Sequence, residues 1–477
     1  MPDICVFYAR EDKRLVSKLV ELLGRKWDVW WDDKINQGYW DKCVQEILPS
    51  ARSVVVVWSA ISVKKDIVVD EINLAKERNI PIYPILFDDV KPPLGFGRLR
   101  SIEVFGWRGE PDHPGIAHLF VKLEEGFAKS IQEKRAMLLR IDEKEVQLPC
   151  FVFSVSSFET QLRPDAGITA LQLKQTKAVL VSAYDMDCLD GRRKIYEQLR
   201  EMRDRGTLVV LDSGNYEAFR MGKLKKNDPN PWTPERFARV IRRVPCDLAF
   251  CFDNLAPVKT VKGVAGDVIR RTLNLESVCG NKLVCPIIHI PVNKDNRSNV
   301  QILPDITLQV AEELRPKLIA FPERELGEGI LQRAKAVASV RKALGHLSWY
   351  QPIHLLGTGN PLSIAILSAA GADLFDGLEW CRTMADGDTG LLYHYQQFDF
   401  FRDQLGRIKS PVVKAIVESP SATYAAKVAF HNLELFEVWM EDIQKHIQQK
   451  TIGKFLADYL PRGAYYDFAK EMPEFFQ

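Results

Sequence analysis

Short apolar runs alternate with amphipathic stretches through most of the chain, and the period of each stretch separates strand from helix. In the first 125 residues, Ile4 to Tyr8, Trp27 to Trp31, Ser53 to Trp58 and Ile82 to Phe87 are β-branched or aromatic-rich runs of strand length. Lys13 to Leu23, Trp40 to Leu48 and Ile67 to Arg78 carry apolar residues at three- and four-residue spacing and read as helices. Strands separated by helices imply a parallel sheet covered on both faces, so an α/β domain is expected over residues 1–125.

The pattern stays helical with mixed charge from His118 to Arg140 and is followed by the polar break IDEKEVQLP, which places a helical linker over 126–147. Eight apolar runs with helical stretches between them come next. They are Phe151 to Val155, Ala178 to Ser182, Leu208 to Leu211, Leu248 to Phe252, Leu283 to Ile290, Lys317 to Phe321, Ile353 to Leu356 and Leu374 to Phe375. Eight strand-helix units predict a closed (β/α)8 barrel over 148–409, with its chemistry just past the C-terminal ends of the strands. From Ser410 the chain reads as an aromatic-rich C-terminal helical segment over 410–477, broken late by Pro461 and Gly463, and it shows no chemistry of its own.

With 477 residues, two domains are expected rather than one core. Apolar residues at 46% and charged residues at 27% describe a soluble globular protein. Its 65 basic and 63 acidic side chains leave a net charge of +2, which argues against a nucleic-acid-coating surface but leaves room for a local basic patch such as RMGKLKK at 220–226. The nine cysteines are scattered without a two-residue spacing and read as reduced thiols. The start, MPDICVFYAR, has no basic-then-apolar leader, and no apolar run reaches membrane length, so a cytoplasmic protein without a membrane partner is expected.

VFYAREDK at 6–13, VWWDDKINQGYW at 29–40, and WSAIS at 58–62 followed by DIVVDEINLA at 66–75 fall on strand ends that the periodicity assigns independently. In this order the three segments resemble the TIR family across the whole first domain, which implies a flavodoxin-like fold. The resemblance puts Glu71 at the position of the glutamate of NAD-cleaving TIR domains. Breaking the nicotinamide–ribose bond builds positive charge on the anomeric carbon and ring oxygen, which a nearby carboxylate stabilises, and nicotinamide leaves as a neutral molecule. Tyr8, Ala9, Arg10 and Ser59 lie at strand ends, where an open parallel sheet places its ligands, and are candidates for binding NAD as substrate. Trp40, two residues after Gly38, is a candidate stacking group or an apolar anchor of the next helix. The alternative for Glu71 is a solvated helix residue. Where many active relatives carry an aromatic four residues earlier, this chain has Ile67, and non-enzymatic TIR domains act as adaptors through homotypic contacts.

VVLDSGNYEAF at 209–219, CDLAFCFDNLAP at 246–257 and HLLGTGNPLSIAILSAAGADLFDGLEWCR at 354–382 carry a second resemblance, to the tRNA-guanine transglycosylase family over roughly 148–400. It implies that Asp376 is the nucleophile on the anomeric carbon, that Asp212 with Ser213 serves the exchanging base, and that Asp253 reads a purine-like edge. Each aspartate, taken alone, also reads as a helix N-cap. The chain departs from the family at Asn215, Tyr216 and Glu217, which stand for Gly, an aromatic and Gln. Where the family continues after Arg382 to three cysteines and a histidine, this chain has only Cys381 nearby and then His394 alone, so no metal is expected.

The two resemblances together suggest a prokaryotic immune effector. A TIR domain that cleaved NAD without restraint would kill its host, so the barrel is expected to sense a nucleobase, nucleoside or RNA ligand, after which TIR self-association into a homo-oligomer switches on NAD cleavage to nicotinamide and linear or cyclic ADP-ribose. The alternatives are an active tRNA base-exchange transferase that uses the TIR domain for recruitment, and a scaffold with both sites silent.

Overall fold

The computed structural model describes residues 2–31, 48, 51, 53–78, 80–97, 99–133, 135–157, 160–188, 192–218, 231–280, 282–292 and 298–476. They form two compact units, residues 1–135 with 345–350, and residues 136–344 with 351–477.

The first unit holds a parallel sheet of β1 (Ile4–Phe7), β2 (Val29–Trp31), β3 (Ser53–Trp58), β4 (Ile82–Leu86) and β5 (Ile102–Glu103), in the order β2-β1-β3-β4-β5. This is the flavodoxin-like order. Alternate residues of each strand serve opposite faces. Ile4, Val6, Val55 and Val57 meet Val16, Leu19 and Leu23 of helix Lys13–Gly24 and Ile116 and Leu119 of helix Pro114–Glu133 on one side. Cys5, Phe7, Val54 and Val56 meet Val68, Ile72 and Ala75 of helix Asp66–Glu77 on the other. Burial on both faces explains why β3 is an unbroken apolar run. The two-residue β5 is too short to leave a periodic signal. The helix expected over Trp40 to Leu48 lies outside the described residues, apart from Leu48.

Between the two sheets the expected helix through Arg140 is corrected. The helix ends at Glu133, and β6 (Leu138–Ile141) pairs antiparallel with β7 (Lys144–Gln147). Leu139, Ile141 and Val146 are buried while Arg140, Glu145 and Gln147 are exposed, so a period of two prevails over the helical reading of the same residues. Asp142 turns the chain at a φ of 51°, a left-handed conformation that a short polar side chain tolerates.

The second unit is an eight-stranded parallel sheet of β8 (Cys150–Val155), β9 (Ala178–Ser182), β10 (Leu208–Asp212), β11 (Leu248–Phe250), β12 (Leu283–Cys285), β13 (Ile319–Pro322), β14 (Ile353–Leu356) and β15 (Leu374–Gly377). Apart from β12 and β13, each strand pairs with its neighbours in sequence, and β15 returns to β8. The gap between β12 and β13 is bridged beyond the end of β12 by Ile287 and Ala320, so the sheet is a nearly closed barrel. Two ends differ from expectation. β11 stops at Phe250, and β12 stops at Cys285 because Pro286 has no N–H for the ladder.

Helices follow the strands around the outside, and Tyr424–Gln448 packs against β8 between helices Pro164–Lys174 and Pro361–Ala369, in the eighth outer position. The hairpin of β16 (Thr383–Ala385) and β17 (Leu392–His394) follows β15. Among the described residues no helix is long and apolar enough to cross a membrane.

Candidate functional site

Asp212, Asp253 and Asp376 come from three different strand ends and line one cavity of about 360 Å³. Asp212 is the last residue of β10 and Asp376 the third of β15, rather than just past the ends of their strands, and Asp253 follows β11 by three residues. This is the carboxyl end of the barrel, where such a fold displays its chemistry. Ser213 and Glu217 line the same cavity, with Tyr216 and Arg324.

Asp376 is held by three donors. The Ser154 hydroxyl reaches Oδ2 at 2.7 Å, His354 Nε2 meets Oδ1 at 3.0 Å, and the Gly357 amide donates to Oδ1 at 3.2 Å. Ser154 and His354 lie on β8 and β14, the two strands flanking β15, so parallel pairing alone brings them to the aspartate. His354 is fully buried in the barrel interior, edge-on to Phe250. Donors on a carboxylate hold its charge and fix the direction of its lone pairs.

Asp253 belongs to a closed chain of partners. Ser213 donates to its Oδ1 at 2.7 Å, and His289 Nε2 meets its Oδ2 at 2.8 Å. His289 Nδ1 meets Glu325 Oε1 at 2.8 Å, and the other Glu325 oxygen accepts from the Ile290 amide at 2.9 Å. Burial pulls the His289 pKa down, but the two carboxylates outweigh it and raise it to about 10, so the ring is a cation between two anions. Burial likewise works against the Asp253 charge, and the bonds from His289 and Ser213 overcome it and lower its pKa.

Around Asp212 the balance is reversed. Burial, Glu217 and Asp253 push its pKa well up against the single opposing bond from the Gly214 amide. Burial and Asp185 push Glu217 up to about 7. Ser156 donates to Glu217 Oε1 at 3.0 Å, while the buried Oε2 has no hydrogen-bond partner among the described residues. The Arg324 guanidinium lies 4.5 Å from the centre of the Tyr216 ring. The pocket therefore offers a ring to stack on beside an excess of acceptors.

Backbone geometry fixes these groups. Gly214 has a φ of +69°, and a Cβ there would stand 2.4 Å from the Tyr184 nitrogen, so the DSG turn needs glycine. The segment after Asp376 is braced from behind. Trp380 Nε1 donates to the Ser154 carbonyl at 2.8 Å, and the fully buried Asn432 of the outer helix bonds the carbonyls of Trp380 and Thr383 and the amide of Ala385.

In the first unit Glu71 is buried at 6% exposure on the face of Val68, Ile72 and Ala75, not solvated, while Ile67 is exposed. Burial, then the charge of Glu71, push the Cys5 thiol on β1 up to about 12, which places the carboxylate against the sheet. Tyr8, Ala9 and Ser59 stand at the carboxyl ends of the adjacent strands β1 and β3, all three buried, and the exposed Arg10 follows Ala9. Ser59 has a local task, since its hydroxyl accepts from the amides of Ile61 and Ser62 and donates to Asp12 at 2.6 Å. Trp40 and the basic stretch 220–226 lie outside the described residues.

The residues around and after Arg382 do not make the cysteine and histidine set of a zinc site. Cys381 is buried with its sulfur 3.1 Å from the Thr160 hydroxyl, and His394 is exposed and caps the next turn. Among the described residues no three His, Cys, Asp or Glu side chains form a metal-holding group.

Ser154, His289, Arg324, Glu325 and His354 were not legible as site residues. His289 sits in an apolar run and Glu325 in ERELGEG, and only the tertiary fold joins them.

Comparison with known proteins agrees with this division. Residues 4–120 match the TIR domain and residues 130–397 match queuine tRNA-ribosyltransferase. The queuine tRNA-ribosyltransferase of Prochlorococcus marinus is 25% identical over 233 residues, 44% of this chain and 60% of that protein. The chain thus spans three fifths of that relative's length. The queuine tRNA-ribosyltransferase catalytic subunit of Caenorhabditis briggsae is 24% identical over 335 residues, 62% of this chain and 80% of that subunit. The tRNA-guanine(15) transglycosylase of Thermoplasma volcanium is 27% identical over 121 residues, 24% of this chain and 18% of that protein.

Proposed function

The chain belongs to the queuine tRNA-ribosyltransferase family and carries a TIR domain ahead of its barrel, and from that footing we propose that the barrel binds a purine-type base, free or within a nucleoside or RNA, and that its occupancy switches on NAD cleavage at Glu71. The observation that carries this reading is the convergence of Asp212, Asp253 and Asp376 on one cavity beside the Tyr216 ring. A base stacks on the ring and gives its N–H groups to the acceptors left open in the cavity wall, while its ribose lies toward Asp376. In the TIR domain Glu71 faces the developing charge on the ribose of NAD as the bond to nicotinamide breaks. NAD loss is tolerable to a cell only when gated, so the protein acts as a cytoplasmic immune effector against phage, and self-association of TIR domains is the step between ligand and cleavage. No zinc takes part. Nicotinamide release from NAD by the full chain, measured with and without purine nucleosides and tRNA, tests the coupling. Release that rises with one of these ligands is expected, and release indifferent to all of them contradicts the gate.

One observation favours a second reading, a working base-exchange transferase. The three donors on Asp376 and the raised pKa of Asp212 suit a nucleophile and a neighbouring acid. A carboxylate oxygen of Asp376 would bond the anomeric carbon, the departing base would take the bonding electrons and a proton from Asp212, and an incoming base would reverse the step. Asp376→Asn removes the nucleophile but keeps hydrogen bonding. Labelled guanine entering tRNA with the parent and not with the variant would promote this reading. No incorporation by the parent, with Asp376→Asn altering only ligand-stimulated NAD cleavage, is the outcome expected here.

A further inference from the structure

We infer that Glu217, rather than Asp253, selects the ligand of the barrel pocket, by accepting at Oε2 a hydrogen bond from the exocyclic amine of a purine base. The inference rests on the reading of this cavity as a base site and names the group that discriminates within it.

Asp253 is already satisfied. Both of its oxygens are engaged, one by the Ser213 hydroxyl and one by the His289 cation, and the chain of partners closes through Glu325 on the Ile290 amide. An amine arriving at Asp253 would compete with a charged donor in a buried place and would gain little over water. Glu217 is different. Its Oε1 takes the Ser156 hydroxyl, while Oε2 is buried in the cavity wall with no hydrogen-bond partner among the described residues. A buried acceptor without a donor carries a desolvation cost that a ligand bringing the donor removes.

A second oxygen stands close by. The Ser182 hydroxyl, which also lines the cavity, supports the Glu217 charge as a hydrogen-bond donor, and its buried oxygen accepts from no group among the described residues. Two acceptor oxygens side by side suit one NH2 group with two hydrogens better than a carbonyl, which would meet oxygen with oxygen. Tyr216 is adjacent in sequence to Glu217 and presents its ring to the same cavity, which sets the ligand as a flat aromatic base with its amine at the edge.

The test is calorimetric titration of the full chain at about pH 8, above the raised Glu217 pKa so that the carboxylate is ionised and accepts, with two matched pairs of nucleosides. Guanosine and inosine differ by the 2-amino group, and adenosine and purine riboside by the 6-amino group. The parent is expected to bind the amine-bearing member of one pair at least about tenfold more tightly than its partner, as for loss of one buried charge-assisted hydrogen bond. Glu217→Leu is expected to bring that ratio within about twofold, and Glu217→Gln, which keeps an acceptor, to preserve part of it. Thermal melting establishes that each variant is folded, and should Glu217→Leu fail to fold, a Glu217→Gln ratio equal to the parent's overturns the inference. A parent that binds nucleosides without distinguishing either pair overturns the inference, as does a ratio that survives in Glu217→Leu. Failure of all four nucleosides to bind the parent would instead remove the base-site reading on which the inference stands.

Discussion

His289 sits between the buried carboxylate of Asp253 and the part-buried carboxylate of Glu325, and removing it leaves both without their shared cation. Truncating one partner of a buried ion pair typically costs about 3–5 kcal/mol, so His289→Gln is expected to lower unfolding stability by about that amount near pH 6. The pH dependence follows from the raised pKa. With about 10 in the folded protein against 6.5 for the free side chain, the His289 contribution is complete below about 6.5 and is lost as pH rises toward 10. The difference in urea stability between parent and His289→Gln is therefore expected to shrink from pH 6 to pH 10, and a constant difference would show that the ring is neutral in the native state. Asp212, Asp253 and Asp376 could be read in the chain because each stands in a short motif at or just past a strand end, whose composition is local. His289 and His354 could not, since a histidine inside an apolar run has the same appearance whether it fills core or holds an aspartate.

Strand and helix positions were legible wherever one period ruled a long enough stretch, as in the eight barrel runs. The reading failed where two periods fit the same residues. MLLRIDEKEVQ has helical composition, yet Leu139, Ile141 and Val146 find burial only in a hairpin. Nor could the sequence assign work to the outer helix Tyr424–Gln448, because Asn432 looks like any polar helix residue until its three backbone partners are in place. Asn432→Leu leaves those buried groups unpaired and is expected to destabilise the barrel by on the order of 3 kcal/mol, measured by denaturant unfolding. Asn360, whose side chain accepts from the Ser363 amide at the start of helix Pro361–Ala369, is a milder case. Asn360→Ala is expected to cost about 1 kcal/mol. The hairpin after Arg382 offers no cysteine and histidine set, so metal analysis of the purified protein is expected to find no stoichiometric zinc. A zinc that survives dialysis would contradict that expectation.

The whole chain joins two units whose families contain enzymes, and the proposed chemistry of both falls on a ribose anomeric carbon. The sequence held the resemblance that identifies each unit, but not the excess of acceptors in the barrel pocket, which arises only when β8, β10, β11 and β15 close around it. The central claim is that Glu71 makes the first unit a gated NAD-cleaving enzyme. Its burial against the sheet means that Glu71→Gln, which keeps shape and removes charge, is the appropriate variant. The direct measurement is nicotinamide release from NAD by the full chain, in the presence of tRNA and purine nucleosides, for the parent and for Glu71→Gln. Release by the parent, reduced on the order of 100-fold or more in a variant that melts as the parent does, is the expected result. A parent that releases no nicotinamide under any of these conditions, or a variant that releases it at the parent's rate, would contradict the account.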